Sequence, residues 1–391
     1  MAPTPSHPRP VARSGPHPDP GRAGRAAFLA VAALSSISLL AACGYGSKST
    51  AKVNPAPAAA VSPGASDKKL SADTVKIGYF ANLTHGTPLV GLQEGLFQKE
   101  LGSTRIKPQI FNAGPAEIEA LNAGSIDIGW IGPSPAINGY AQSKSQALRI
   151  IGGSASGGVE LVVNPEKIKT LGDLKGKKIA TPQLGNTQDV ALLNYLVGKG
   201  YKEDAQSGAG DVSVVRTDNK VTPDAYASGS IDGAWVPEPT ASTLVAKGAK
   251  VLLDEKDLWP NRQFVITNII VAQKFLTEHP DVVEAVLRGS VNTNAFINAN
   301  PDQAKQDAND AIKAAGGNAL AADILDPAWK RIDFLDDPLA GTLQSEADHA
   351  VTAGLLKKPD ISGIYDLTLL NEVLRAAGRP AVADAGLGKT S

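Results

Sequence analysis

Glu119-Ala-Leu-Asn-Ala-Gly-Ser-Ile-Asp-Ile-Gly-Trp-Ile-Gly-Pro-Ser-Pro135 reads as the end of a helix, a tight turn, a short buried strand and a loop rich in Gly and Pro. The unit recurs at Asp224-Ala-Tyr-Ala-Ser-Gly-Ser-Ile-Asp-Gly-Ala-Trp-Val-Pro-Glu-Pro239. Gly124, Ser125, Ile126, Asp127 and Trp130 have counterparts in Gly229, Ser230, Ile231, Asp232 and Trp235, all at one offset. Matches in register, inside the same helix–turn–strand–loop context, point to two similar α/β halves. Shared loop chemistry alone is the plainer alternative.

Working outward, Thr74–Phe80, Ile106–Asn112, Ile126–Ile131, Leu148–Gly153 and Val159–Val163 carry the β-branched and aromatic content of strands. Helical spacing lies between them at Leu89–Glu100 and Pro115–Ala123, and Pro133 or Pro135 opens another helix. Such alternation predicts a parallel, doubly wound sheet. After Asn164-Pro165 the pattern restarts, with strands at Lys178–Thr181, Val212–Arg216, Ile231–Val236 and Ala249–Leu253 and a helix at Thr187–Gly198. Phe264–Val271 reads as a strand leading back, and from Gln273 onward the pattern is helical. The expected layout is an α/β domain from 74–163, a second from 164–262, and a return with a helical tail over 263–391. Two chain crossings, near Val163–Pro165 and Arg262–Ile266, would form a hinge.

The first seventy residues have a different character. Arg9, Arg13, Arg22 and Arg25 precede an apolar run from Ala26 to Ala42, the pattern of a secretory signal peptide over 1–42. Cys43, the only cysteine, closes that run. Residues 43–72 are Ser, Ala, Pro, Lys and Gly without hydrophobic periodicity, the composition of a flexible tether. A single cysteine excludes an internal disulfide framework or a Cys-based metal site. His85, His279 and His349 are too scattered to make a metal set, and no cofactor motif is present. With 38 basic and 39 acidic residues, non-specific nucleic-acid binding has no electrostatic support. No Gly-x-Ser-x-Gly elbow and no Gly-x-x-x-x-Gly-Lys loop supports catalysis.

In open parallel sheets, ligands bind outside the carboxyl ends of strands. Four loops take that position: Asn82–Thr87, Gly132–Pro135, Gln183–Asp189 and Trp235–Pro239. Helix N-termini there suit an anion. Thr84, Ser134, Gln183, Asn186 and Thr187 would add neutral donors. Asn186 and Thr187 are also ordinary N-cap residues. Asp127 and Asp232 read as scaffold, and Trp130 and Trp235 as core. Glu238 reads either as a hinge salt-bridge partner or as a group that meets a ligand amine.

Thr181-Pro-Gln-Leu-Gly-Asn-Thr-Gln-Asp189 resembles the central motif of solute-binding proteins for aliphatic sulfonates. The Ala-Gly-x-Ile-Asp-x-Gly core within Ala120–Pro135 and the run Trp235-Val-Pro-Glu-Pro239 match their other hallmarks. The resemblance covers 74–301 and extends to the wider group feeding ABC importers for sulfonates, taurine and nitrate. It implies a periplasmic-binding-protein-like type II fold that closes over its ligand by hinge motion and works with ABC permease subunits. It also implies an acidic head group held by helix N-termini and short polar side chains. These carry over to Asn82, Thr84, Ser134, Gln183, Asn186, Thr187 and Gln188, with Trp235 and Glu238 as further candidates. Leu40-Ala-Ala-Cys43 resembles a lipobox, which implies a lipid on Cys43 and a monomeric receptor anchored on the outer face of the cell membrane. A heterocyclic precursor, pyrimidine- or riboflavin-like, stacked on Trp130, Trp235 and Tyr226 is the alternative ligand, with nitrate or bicarbonate beside it. An enzyme making a thiamin pyrimidine is the alternative from another class.

Overall fold

In the computed structural model, which describes residues 69–389, the Gly-Ser-Ile-Asp unit makes the same hydrogen bonds in both places. Asp127 Oδ2 accepts the N–H of Lys76 at 2.8 Å, and Asp232 Oδ2 accepts the N–H of Lys178 at 2.9 Å. The backbone N–H of each Asp donates to the carbonyl of that same lysine, at 2.8 Å in both cases. Each Asp carbonyl accepts one further N–H, from Ala272 at 2.9 Å and from Asn164 at 2.8 Å. Gly124 and Gly229, at φ 69° and 73°, supply the left-handed residue that ends the preceding helix. The repeat is therefore a backbone clamp, made once in each half.

The first sheet contains β1 (Thr74–Phe80), β2 (Arg105–Phe111), β3 (Ile128–Ile131), β4 (Leu148–Gly157), β10 (Val265–Ala272) and β11 (Ile332–Phe334). The second contains β5 (Val159–Val163), β6 (Lys178–Thr181), β7 (Ser213–Arg216), β8 (Gly233–Pro237) and β9 (Lys250–Asp254). Their orders are β11-β4-β10-β3-β1-β2 and β7-β6-β8-β5-β9. In each, one strand runs parallel between two others, β1 between β2 and β3 and β6 between β7 and β8. In each, one antiparallel strand is also inserted, β10 between β3 and β4 and β5 between β8 and β9. Apart from β11, the two sheets share one topology. The expected all-parallel sheets are thus mixed, because β5 and β10 are the strands by which the chain crosses between halves. The first crossing lies at Gly157–Gly158, earlier than Val163–Pro165, and it places Val159–Val163 in the second sheet. Both glycines have positive φ, 76° and 68°, which lets two strands meet head to tail with almost no linker.

Helices cover both sheets. Those of the first half are α1 (Gly86–Gln93), α2 (Leu96–Leu101), α3 (Gly114–Asn122) and α4 (Pro133–Gln142). The single helix expected over Leu89–Glu100 is split, because Gly95 sits at φ 67° between α1 and α2. The second half contributes α5 (Thr187–Gly198), α6 (Thr222–Ala227) and α7 (Thr240–Ala246). The tail forms α8 (Gln273–Glu278), α9 (Pro280–Ala299), α10 (Pro301–Ala314), α11 (Ala322–Trp329), α12 (Leu343–Thr352) and α13 (Thr368–Ala376). Pro280 and Pro301 occupy first-turn positions, where a missing N–H costs nothing. The tail serves both halves: α9 packs on α1 and α2, α11 on α7, and α12 on α4 and α5. No described helix is long and apolar enough to cross a membrane. The 1–42 signal segment, Cys43 and nearly all of the 43–72 tether lie outside the described residues.

Candidate functional site

All four loops read from the sequence reach one cavity between the sheets, with about 320 Å³ of empty space including its mouth. Asn82, Thr84 and His85 come from the loop after β1, Gly132 from the end of β3, and Pro237 from the end of β8. Asn186, Thr187 and Gln188 come from the start of α5. Asn112 and Asn219 follow β2 and β7, the two matching second strands of the halves. Phe80 and Ile266 give the cavity its apolar wall.

Three of the lining side chains have an acceptor occupied. Asn82 Oδ1 accepts the Thr84 hydroxyl at 2.8 Å, which leaves the Asn82 NH₂. Gln188 Oε1 accepts the Asn186 amide at 2.7 Å, which leaves the Gln188 NH₂. His85 Nδ1 accepts the N–H of Phe80 at 3.2 Å, so the ring proton sits on Nε2 as a donor. Thr187 Oγ1 is buried with no partner, as is Ser134 Oγ in the first turn of α4. Asn219 Oδ1 is the exception, a buried acceptor without a partner.

Asn186 does not cap α5. Its Oδ1 crosses to the first half and accepts the N–H of Gly114 at 3.0 Å. The first turn of this 12-residue helix therefore keeps free N–H groups at the cavity. Helix α4 also has no side-chain cap, and Pro133 and Pro135 leave Ser134 as its free first-turn donor. Asp189, in the first turn of α5, is neutralised: it binds Arg216 Nε at 2.9 Å, Thr181 Oγ1 at 2.7 Å and the N–H of Gly185 at 3.0 Å. Among the lining residues there is no Asp, Glu, Lys or Arg.

Of the residues singled out in the sequence, Asn82, Thr84, Asn186, Thr187 and Gln188 line the cavity. Ser134 is buried in the first turn of α4 and is not among the lining residues. Gln183 stands exposed in the turn before α5 and does not line it. Trp235 faces away into the core, where its Nε1 donates to Glu255 Oε2 at 2.6 Å. Glu238 is fully buried behind the cavity and accepts from Ser242 N–H at 2.9 Å, Ser242 Oγ at 2.8 Å and Arg331 Nη1 at 2.7 Å. It is a salt-bridge partner and not free for an amine. Trp130 is fully buried, and neither Trp130 nor Tyr226 lines the cavity. The lining residues not read as ligand contacts were Phe80, His85, Asn112, Asn219 and Ile266, with Gly132 and Pro237 named only as parts of their loops. The carboxyl-end rule, applied to the second strand of each half, would have found Asn112 and Asn219.

Burial holds the His85 imidazole neutral, with its pKa pushed down to about 3. A histidine with a lowered folded pKa contributes stability above its ordinary value near 6.5, and this is lost as pH falls toward about 3. We expect His85→Gln to flatten the acid limb of stability, removing up to about 1.4 kcal/mol per pH unit in that window. Urea midpoints of both proteins at several pH values check this; parallel acid limbs would refute it.

A model of the NMT1-like family matches residues 68–312. A protein of Brucella abortus (strain 2308), named as a candidate binding protein, is 30% identical over 300 residues, 73% of this chain and 87% of that relative. The taurine-binding periplasmic protein of Escherichia coli (strain K12) is 30% identical over 213 residues, 54% of this chain and 63% of the relative. Among solved structures, the alkanesulfonate-binding protein from Xanthomonas axonopodis pv. citri bound to MOPS aligns with a TM-score of 0.60 at 22% identity, over 73% of this chain and 96% of that one. The periplasmic nitrate-binding protein from Synechocystis PCC 6803 aligns with a TM-score of 0.64 at 14% identity, over 79% and 90%. At these identities the structural likeness establishes the fold, two α/β sheet domains with helices.

Proposed function

The chain belongs to the NMT1-like family, and from that premise we propose that it is the solute-binding receptor of an ABC importer, taking an alkanesulfonate or similar small organic anion between its two halves. The observation that carries this is the pattern of spent acceptors and free donors. Asn82, Gln188 and His85 each use an acceptor internally and keep an N–H, and Thr187 Oγ1 has no partner. Uncapped helix N-termini of α4 and α5 add partial positive charge without any cationic side chain. Phe80 and Ile266 suit an alkyl tail. The Asn219 amide can turn over to present its NH₂ to the same ligand. The relatives that bind taurine and alkanesulfonates support this ligand class. The signal-like 1–42 segment and Cys43 support a receptor held by a lipid on the outer face of the cell membrane, where it would meet its permease.

The tail of the ligand carries no ammonium in this reading, because Glu238 is already taken by Arg331 and Ser242. Calorimetry and thermal melts with ethanesulfonate, butanesulfonate, taurine, nitrate, bicarbonate and riboflavin test it. Alkanesulfonates should bind, adding about 2.7 kcal/mol of stability at 100 times the dissociation constant. Taurine should bind at least about tenfold more weakly than ethanesulfonate, since its ammonium loses water without gaining a carboxylate. If no sulfonate binds, the receptor reading for sulfonates fails; a response to nitrate or riboflavin alone would replace the ligand. The heterocycle is the weaker alternative, because Trp130, Trp235 and Tyr226 offer it no surface in the cavity.

A further inference from the structure

A second pocket lies on the other side of α5, with about 660 Å³ of empty space including its mouth. One wall is a single face of that helix: Ala191, Asn194, Tyr195, Gly198 and Lys199 follow helical spacing. Trp259 and Glu255, from the turns after β9, and His349 of α12 stand opposite. Trp259 is fixed by stacking on Phe264, ring centroids 5.4 Å apart, and meets the His349 ring at 5.1 Å.

The floor is acidic. Glu255 is 2% exposed and has Trp235 Nε1 as its hydrogen-bond donor, with no basic partner among the described residues. Glu346, one turn before His349 on α12, is equally buried and its Oε1 has no partner. Glu346 is not itself among the lining residues; burial and then the Glu255 charge raise its pKa, and burial pushes Glu255 up to about 7. Tyr195 Oη is also buried without a partner. The one cation in the lining, Lys199, is exposed at the rim and sits 5.4 Å over the Tyr195 ring. A buried acid with no basic partner, lining a pocket beside aromatic walls, favours a cationic guest over a neutral one.

We propose that this pocket binds a small organic cation, a primary ammonium on an aromatic or alkyl body, with its charge at Glu255 and its body against Trp259 and Tyr195. The ammonium supplies the counter-ion Glu255 lacks, and the ring faces favour a cation over a neutral group of the same shape. The site is separate from the cavity at the opposite end of α5, and it stands whatever that cavity binds.

Phenethylammonium chloride is the probe, with 2-phenylethanol as its uncharged counterpart and sodium chloride matching ionic strength. Tryptophan fluorescence and calorimetry on the purified protein should show saturable binding of the ammonium, and at least about tenfold weaker binding of the alcohol. Glu255→Gln keeps an acceptor for Trp235 and should weaken the ammonium by about tenfold or more. Gly198→Leu should abolish binding without harming the fold, because Gly198 is an exposed lining residue and a Cβ there meets nothing within 4 Å. Absence of saturable binding, equal affinity for the alcohol, or full affinity in Gly198→Leu would each overturn the proposal. Should Glu255→Gln fail to fold, the other two comparisons still decide.

Discussion

Replacing Arg331 with Met is expected to destabilise the protein by about 3 kcal/mol at neutral pH, seen as a lower urea midpoint with an unchanged denaturant slope. Arg331 lies between α11 and β11 and reaches the second half from the tail. Its Nη1 bonds Glu238 Oε1 at 2.7 Å and Ser242 Oγ at 2.9 Å, and its Nε lies 3.3 Å from Glu160 Oε1. Glu160 and Glu238 are 1% and 0% exposed. Burial pushes the Glu160 carboxyl well above the usual range, Glu238 pushes it further, and Arg331 opposes both. Met fills much of the arginine stem but leaves two neighbouring acids without their cation. Adding Glu238→Gln to the Arg331→Met protein should restore part of the loss, because one of the two stranded acids becomes neutral. A loss of under about 1 kcal/mol in the single variant would mean that the pair is an ordinary solvated one.

Gly132→Val is expected to lower ligand affinity by about 100-fold or more while leaving the unliganded protein as stable as before. Gly132 precedes α4 at φ −69° and ψ 158°, a conformation any residue adopts. What requires glycine is the approach of the other half: a Cβ at 132 would collide with Thr187 Oγ1 and come 3.3 Å from Thr187 Cβ. A branched side chain there acts as a wedge between the start of α4 and the start of α5. Each sheet and its helices can keep their own packing, but the two sets of free donors no longer reach one small anion. Calorimetry with butanesulfonate, beside a melt without ligand, separates the two effects. Wild-type affinity in the variant would show that the halves need not meet at this point.

Much of this architecture is legible in the residues, and the limits have physical causes. Lys178–Thr181 and Thr187–Gly198 fall where strand composition and helical spacing put them. The loop before α5 is readable because strand, turn and helix start are contiguous in the chain. Val159–Val163 was assigned to the wrong sheet because an apolar run buried on both faces carries no mark of which sheet buries it. Glu238 had two readings until Arg331, 93 residues further on, was seen to occupy it. Trp235 and Gln183 stand two and three residues from lining residues but do not reach the cavity, and side-chain direction in a strand or turn depends on register and turn geometry. Asn112 and Asn219 sit in no motif at all; they join the cavity only because two second strands end at the same level. The tail had no motif either, and its contacts with α4, α5 and α7 exist only once both halves are in place.

The insertion of β10 between β3 and β4 sets an order of assembly during synthesis. The five strands of the second sheet lie together in 159–254, so that sheet can complete as soon as this stretch is available. The first sheet cannot. Its β3 and β4 have no partner in each other and must keep open edges until Val265–Ala272 arrives to bridge them. A nascent chain stopped before residue 265 therefore holds one sheet with all of its strands and one with a missing central strand. Exposed edges of this kind recruit other chains. Premature termination between the two crossings should yield an aggregating product.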